Sequence, residues 1–119
     1  MAPEIVFPLL GIMFVALALP LAARRIPPNR WYGLRVPATF ADTTVWYDAN
    51  AATGKDLVAF GAVATVIALV LPHVAHLRTE TYALVCAVVF GLGSLVLAVR
   101  GWRLANRLLR QRRGEGEMV

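Results

Sequence analysis

Three apolar stretches without a single Asp, Glu, Lys or Arg constrain the fold of this chain more than any other feature. They cover residues 5–23, 57–77 and 81–99. Each is close to the ~20 residues that an α-helix needs to cross the ~30 Å hydrocarbon core of a bilayer. A soluble domain of 119 residues is too small to cover three helices that are apolar on every side. The sequence therefore predicts an all-α integral membrane protein with three transmembrane helices, over about 4–23, 57–77 and 81–99.

The first apolar stretch has one alternative interpretation, a cleaved signal peptide. Signal peptides carry a positive segment before the apolar stretch and a small-residue cleavage site after it. Here Glu4 precedes the stretch, Arg24 and Arg25 follow it, and no clear cleavage site is present. We therefore expect a retained span.

The basic residues predict the orientation of the spans. Five lie in the connection 24–56 and six follow the last span, whereas the connection 72–80 contains only Arg78. Because positive residues concentrate on the cytoplasmic side, the N-terminus should lie outside and both 24–56 and the tail 100–119 in the cytoplasm. The net charge of +5 is thus first a topology signal. A nucleic-acid partner is the weaker interpretation and is not expected.

The connection between the first two spans is the candidate functional motif. Short connecting loops tolerate most polar sequences, but this one is dense in prolines, paired aromatics and arginines. We expect a structured site at Pro27, Pro28, Asn29, Tyr32, Gly33, Arg35, Pro37, Trp46, Asp48, Asn50 and Gly54. The alternative for Trp31 and Tyr32 is an aromatic belt at the membrane interface.

Two further segments are predicted to be helical. Asp42 is a good N-cap for a helix that starts at Thr43 and runs into the second span. Trp46, Asn50 and Thr53 would share one face of it. After the third span the helix should continue as a basic amphipathic extension, whose arginines would contact anionic lipid headgroups.

Motifs for chemical turnover are not evident. The chain contains no Gly-rich phosphate loop, no thiol pair and no ionisable residue at mid-depth in a span. Asp42, Asp48 and Asp56 lie among arginines, which favours ion pairs over general bases. His73 and His76 lack an evident third metal ligand. We expect no catalytic residue, no metal and no cofactor, and therefore not an enzyme.

The residues Pro27-Pro28-Asn29, Tyr32-Gly33, Arg35, Pro37, Trp46, Ala49-Asn50 and Gly54 resemble the signature of the SdpI family. This is the family of the immunity protein against the sporulation-delaying toxin and of its bacterial relatives. Val36 departs from the threonine often found there, and larger members carry additional N-terminal spans. The resemblance implies a single SdpI-like domain over 1–119, the bacterial plasma (inner) membrane, and protection against a membrane-active toxin or, in some members, signalling.

These observations favour a protein that binds a partner without turnover. The candidates are a peptide toxin or a cytoplasmic protein. A scaffold or lipid-associated subunit of a membrane complex is the alternative, and a membrane enzyme or transporter is the third. Small residues at Gly61, Ala64, Ala68, Ala87, Gly91, Ser94 and Ala98 allow close helix packing, within the chain or in a homo-oligomer.

A structural hypothesis for the motif follows from its charges and amides. Arg35 would pair with Asp48 or Asp42, and Asn29 and Asn50 would hydrogen-bond across the loop. This would fold the segment against the mouth of the helix bundle, as a small cap with aromatic walls from Tyr32 and Trp46. In the alternative, these residues only stabilise a re-entrant loop.

Overall fold

The computed structural model describes residues 2–117, with side chains up to Gly114. Its helices are α1 (Pro3–Ala22), α2 (Pro37–Ala41), α3 (Thr43–Ala75) and α4 (Thr79–Glu117), and no strand occurs in the described part. Three of the helices are long and apolar enough to cross a membrane. The all-α fold with three spanning helices is therefore confirmed. The last two residues of the predicted tail lie outside the described residues.

Helix α1 ends where its sequence predicts an end. Pro20 lies in the last turn, and the helix stops at Ala22. The Arg24 and Arg25 N–H groups then donate to the carbonyls of Leu21 and Pro20, at 3.1 and 3.0 Å. Arg24 has a φ of 61°, the left-handed conformation that commonly ends a helix. The chain therefore leaves α1 sharply and enters the loop 23–36.

Helix α3 begins at the predicted cap and continues without a break into the second span. The Asp42 carboxylate accepts hydrogen bonds from the N–H groups of Thr44 (2.8 Å) and Val45 (3.2 Å). With 33 and 39 residues, α3 and α4 are roughly 50 and 58 Å long, whereas the 20 residues of α1 span only about 30 Å. The two long helices therefore project beyond α1 on its C-terminal side.

Glycine brings α1 and α3 close together. A Cβ built on Gly54 would lie 2.7 Å from the Ala22 nitrogen and 2.9 Å from the Ala18 oxygen, and one on Gly61 would lie 3.0 Å from the Gly11 oxygen. Helix backbones can approach this closely only where side chains are very small. The backbones of α1 and α4 lie farther apart, and these helices touch through side chains: Phe7 and Phe14 of α1 lie against Tyr82 and Phe90 of α4.

The small residues of α4 do not pack as the spacing suggested. Ala87, Gly91 and Ala98 are exposed, and no atom lies within 4 Å of a Cβ built on Gly91. The inward face of α4 instead carries Tyr82, Cys86, Phe90 and Ala105, and the Tyr82 hydroxyl donates to the Ala68 carbonyl at 2.7 Å. Helix α4 approaches α3 closely at Gly93 and Gly101, since an added Cβ would meet the Phe60 ring at the first and lie 2.7 Å from Thr53 Oγ1 at the second. The face that α4 turns to α3 is therefore not the predicted small-residue stripe. In α3 the stripe Gly61, Ala64 and Ala68 is buried, as expected.

The projecting parts of α3 and α4 form a cap with the loop and α2. We define the cap as residues 34–53 and 101–112. Its centre consists of Ala38, Val45, Ala49 and Ala105, packed against Leu34, Val36, Leu108 and Leu109. Three ion pairs lie around the cap: Arg24–Asp48 at 2.6 Å, Arg100–Asp56 at 3.3 Å and Arg112–Asp42 at 3.3 Å. The basic extension is therefore also one wall of a packed subdomain.

Candidate functional site

Asn29 organises the start of the loop. Its Nδ2 donates to the Pro27 carbonyl at 2.8 Å, and its Oδ1 accepts from the N–H groups of Trp31 (2.9 Å) and Tyr32 (2.7 Å). Asparagine commonly builds a tight turn in this way, by replacing a backbone acceptor with its side chain. The predicted hydrogen bond from Asn29 across the loop is therefore wrong. Its partners are local, and they set the direction in which Tyr32 leaves the turn.

Asn50 does bond across the loop. This buried side chain accepts from the Leu34 N–H at 2.6 Å and donates to the Trp46 carbonyl at 2.9 Å. Gly33, with a φ of 110°, passes so close that an added Cβ would lie 2.8 Å from Asn50 Oδ1. Only glycine combines this φ with this proximity. Gly33 and Asn50 therefore act together to hold the loop against α3.

Trp46 and Thr39 complete the anchoring of the loop. The fully buried Trp46 donates its indole N–H to the Ile26 carbonyl at 2.8 Å, and its ring lies 5.5 Å from that of Phe40. The Thr39 hydroxyl accepts from the Val36 N–H at 3.1 Å and lies 3.0 Å from the Leu34 carbonyl oxygen. Thr39 was missed by sequence reasoning. Its signal was a polar side chain at the third position of a helix, from which it can accept the N–H of the N-cap residue, as in one half of a capping box.

Arg35 does not pair with Asp48 or Asp42. Its guanidinium is exposed and donates to the Arg30 carbonyl. Asp48 lies beside Arg24 because α1 ends against α3, and Asp42 lies beside Arg112 because α4 runs back along the cap. Arg35 therefore closes a small loop on the surface and is not the electrostatic centre of the cap.

The environment of Asp42 stabilises its charged form. Partial desolvation raises the pKa of this carboxyl, but the Val45 N–H, the Arg112 guanidinium and the Thr44 N–H all lower it. The combined effect holds the pKa of Asp42 below its usual value. One carboxylate thus caps α3 and joins it to the end of α4.

A cavity of about 320 Å³ lies directly beneath this loop. All three long helices and the loop contribute to its walls, and no charged side chain lines it. The lining residues are Met13, Phe14, Leu17, Ala18, Leu21, Tyr32, Gly33, Leu34, Thr53, Leu57, Ser94, Leu97 and Ala98. Of the predicted site residues, only Tyr32 and Gly33 line it. Trp46, Asn50 and Gly54 support its walls, while Pro28, Arg35 and Pro37 lie at the surface.

Two residues that line this cavity have hydroxyl oxygens that are buried without a hydrogen-bond partner among the described residues. They are Tyr32 Oη and Thr53 Oγ1, and Thr53 as a whole is only 8% exposed. Buried polar groups almost always find a partner, so an unpartnered one needs an explanation. Burial also raises the pKa of the Tyr32 hydroxyl, which therefore stays protonated and can donate at neutral pH.

The family model of the SdpI/YfhL protein family matches this chain over residues 25–100. This segment contains the loop, the cap residues of α3, the second span and the third span. The chain belongs to the SdpI/YfhL family. Neither a curated protein nor a solved structure matches it significantly. Together with the three spanning helices, the match makes this chain a small multi-pass membrane protein of the SdpI type.

In this SdpI-type protein, the residues predicted from the sequence mostly lie behind the walls of the cavity, and few of them line it. Thr53 was placed on the correct helix face, but nothing in its spacing revealed that its hydroxyl would lack a partner. Ser94 and Leu97 come from α4, about forty residues further along the chain. The arrangement as a whole offers an uncharged, largely apolar slot, the character of many ligand-binding cavities.

Proposed function

We propose that this SdpI-type membrane protein acts by binding, without chemical turnover, in toxin immunity or signal reception. The observation that carries the proposal is the uncharged, largely apolar cavity of about 320 Å³ beneath the loop. Preformed, mostly apolar cavities with a small number of polar groups are typical ligand sites. Membership of the SdpI/YfhL family supports the biological role.

The character of the lining favours binding over catalysis. A general base or nucleophile needs a group that can change protonation near neutral pH. Tyr32 is shifted away from that range, and the nearby carboxylates Asp48 and Asp56 are held in ion pairs with Arg24 and Arg100. We therefore propose that the cavity recognises a molecule and leaves it chemically unchanged.

The proposal includes an orientation in a bacterial plasma membrane. The N-terminus would lie outside, and the cap and α4 extension in the cytoplasm. Cysteines at Thr79 and Ala41, both exposed, would test this in a Cys86→Ala background. An impermeant thiol reagent added to intact cells should label Thr79→Cys and not Ala41→Cys. The reverse pattern would place the loop and cap outside.

Survival of a toxin-sensitive bacterium tests the function itself. Cells that express the chain are challenged with a panel of membrane-active peptides. Leu17 and Leu19 form a matched pair for substitution, because both lie on α1 and are 50% and 52% exposed, but only Leu17 lines the cavity. Leu17→Trp should abolish protection and Leu19→Trp should retain it. Unchanged survival of wild-type cells across the panel would overturn the immunity proposal.

A scaffold or lipid-associated role is the second candidate. It is favoured by the exposed arginines of α4, including Arg103, Arg107 and Arg110, which lie just beyond the third span. Each arginine near an anionic surface contributes on the order of 1 kcal/mol to membrane attraction. Stoichiometric copurification of a second protein with the wild type, in the absence of protection, would favour the scaffold. Crosslinking in membranes would show whether the copies form a homo-oligomer.

A further inference from the structure

We propose that the loop 23–36 makes contact with the membrane surface, with the Trp31 ring in the bilayer interface and the loop arginines on anionic lipid headgroups. We call this contact surface the loop face and define it by four exposed residues, Arg25, Arg30, Trp31 and Arg35. The cavity is lined by other loop residues, Tyr32, Gly33 and Leu34, so the contact goes beyond the proposed function and does not depend on it. Three observations support it: the exposure of Trp31, the level of the loop and its charge.

The structure separates Trp31 from its aromatic neighbour. Tyr32 lines the cavity and its hydroxyl oxygen is buried. Trp31 is 87% exposed, the highest value among the large hydrophobic side chains that the structure describes. A tryptophan has a large apolar ring and one N–H donor, so it is most stable where one side is apolar and the other is wet. The interface of a membrane offers both.

Contacts between the loop and the spans place the loop at one end of the hydrocarbon core. A Cβ built on Gly33 would lie 3.3 Å from Leu21 Cδ2, and one built on Gly101 would lie 3.1 Å from Leu34 Cδ2. Leu21 belongs to the last turn of α1, and Gly101 closely follows the charge-free stretch 81–99. The loop therefore runs at the level at which the first and third spans end.

Trp31 cannot lie far from this level. It is two residues from Gly33, so the two Cα atoms are at most about 7 Å apart. The turn that Asn29 forms with the Trp31 N–H, at 2.9 Å, fixes this part of the chain. The polar layer on each side of a bilayer is about 5–8 Å thick. The Trp31 ring is therefore within reach of the interface, which favours a lipid surface over a cytoplasmic protein as its partner.

The charge of the loop suits an anionic surface. Residues 23–36 contain four arginines and neither Asp nor Glu. Arg24 forms an ion pair with Asp48, while Arg25, Arg30 and Arg35 are exposed. The Arg35 guanidinium donates to the Arg30 carbonyl, which keeps these two residues close together. Each positive side chain at an anionic surface strengthens the attraction about fivefold, so three of them favour anionic headgroups strongly.

Fluorescence quenching in phosphatidylcholine vesicles tests the position of Trp31. Trp102→Phe retains Trp31 and Trp46, whereas the double variant Trp31→Phe/Trp102→Phe retains only Trp46, which is fully buried. The difference in emission between the two variants is the emission of Trp31. Both substituted side chains are exposed, so the fold should be retained.

The quenchers are iodide in water and phosphatidylcholine brominated either near the carbonyl end or in the middle of an acyl chain. Brominated lipid should remove most of the Trp31 emission, and more of it when the bromine lies near the carbonyl end. Iodide should remove little. Strong quenching by iodide, with none by brominated lipid, would place Trp31 in water and open to a partner protein, and would overturn the proposal.

Brominated phosphatidylglycerol, as a minor component of phosphatidylcholine vesicles, tests the arginines. In Trp102→Phe, its quenching of Trp31 is compared with that by the same amount of brominated phosphatidylcholine. The ratio gives the preference of the loop face for an anionic lipid, which should be about fivefold or more at low salt. Salt at about 0.5 M should remove most of this preference. Equal quenching by the two lipids at low salt would overturn the contact with anionic headgroups.

A matched pair of arginines tests whether the preference belongs to the loop face. Arg30→Gln in the Trp102→Phe background should lower the preference about fivefold. Arg113→Gln is the control, because Arg113 is exposed but lies about 18 Å beyond Gly101 along α4, further than the polar layer extends. It should leave the preference unchanged. Equal losses in the two variants would show an effect of net charge alone and would overturn the assignment to the loop face.

Discussion

Asn50 Oδ1 lies 2.6 Å from the backbone nitrogen of Leu34, 16 residues earlier in the chain. A side chain in the interior of α3 thus holds the loop that covers the cavity. The Nδ2 of the same amide donates to the Trp46 carbonyl at 2.9 Å, so both the oxygen and the nitrogen of the Asn50 side chain form hydrogen bonds. This contact positions Gly33 and Tyr32 over the slot between the helices, and it gives the asparagine a structural role at the wall of the cavity.

Replacement of Asn50 by alanine should destabilise the protein. It would leave the Leu34 N–H, which lies in a partly buried loop, without its acceptor. The expected cost is about 1–3 kcal/mol, measured by thermal unfolding in detergent. Asn106→Ala, on the partly buried side of α4, is the control and should change stability by less than about 0.5 kcal/mol. Equal effects of the two substitutions would contradict the anchoring role of Asn50.

A matched pair of glycines tests the contact between α1 and α3. Gly54→Ala would place a Cβ 2.7 Å from a backbone nitrogen of α1, so the helices must separate, at a cost of about 1–3 kcal/mol. Gly91→Ala meets open space and should stabilise α4 by up to about 1 kcal/mol. Opposite signs of the change in unfolding temperature are expected. A neutral Gly54→Ala would show that this packing is not tight.

Arg35→Ala should have only a small effect on stability. Removal of one partner from a buried ion pair costs about 3–5 kcal/mol, but Arg35 is exposed and donates to a backbone carbonyl. We expect a loss below about 1 kcal/mol in thermal unfolding. A large loss would indicate a buried carboxylate partner after all. If survival under toxin challenge fell while stability was retained, Arg35 would be a ligand contact.

The Asp42 carboxylate predicts a defined pH dependence. Because the pKa of Asp42 is lower in the folded protein than its usual value of about 4, its contribution to stability is complete above that value. The contribution is lost as the pH falls through the lowered pKa. Asp42→Asn retains an N-cap acceptor but does not titrate.

Unfolding temperatures of wild type and Asp42→Asn, measured in detergent between about pH 7 and pH 2.5, test this prediction. The advantage of the wild type should be constant above about pH 5 and should shrink below about pH 4. A difference that does not vary with pH would show that the carboxylate charge adds nothing to the cap.

Local features of the chain were readable from the sequence alone. The three spans follow from the length of the charge-free stretches, and the start of α3 follows from Asp42 before a helical pattern. The buried face with Trp46 and Asn50 follows from the three- and four-residue spacing of an α-helix. Each of these depends on residues that are close in the chain, so hydrophobicity and periodicity suffice to predict it.

Tertiary structure alone decided the partners of the charged residues and the contents of the site. Asp48 pairs with Arg24 and Asp42 with Arg112, because α1 ends against α3 and α4 returns along the cap. The hydroxyls of Tyr32 and Thr53 are buried without a partner in the described part of the chain, and Thr53 Oγ1 lies beside Gly101 of the distant helix α4. A sequence shows which groups can donate or carry charge, whereas their partners depend on how helices from distant parts of the chain pack together.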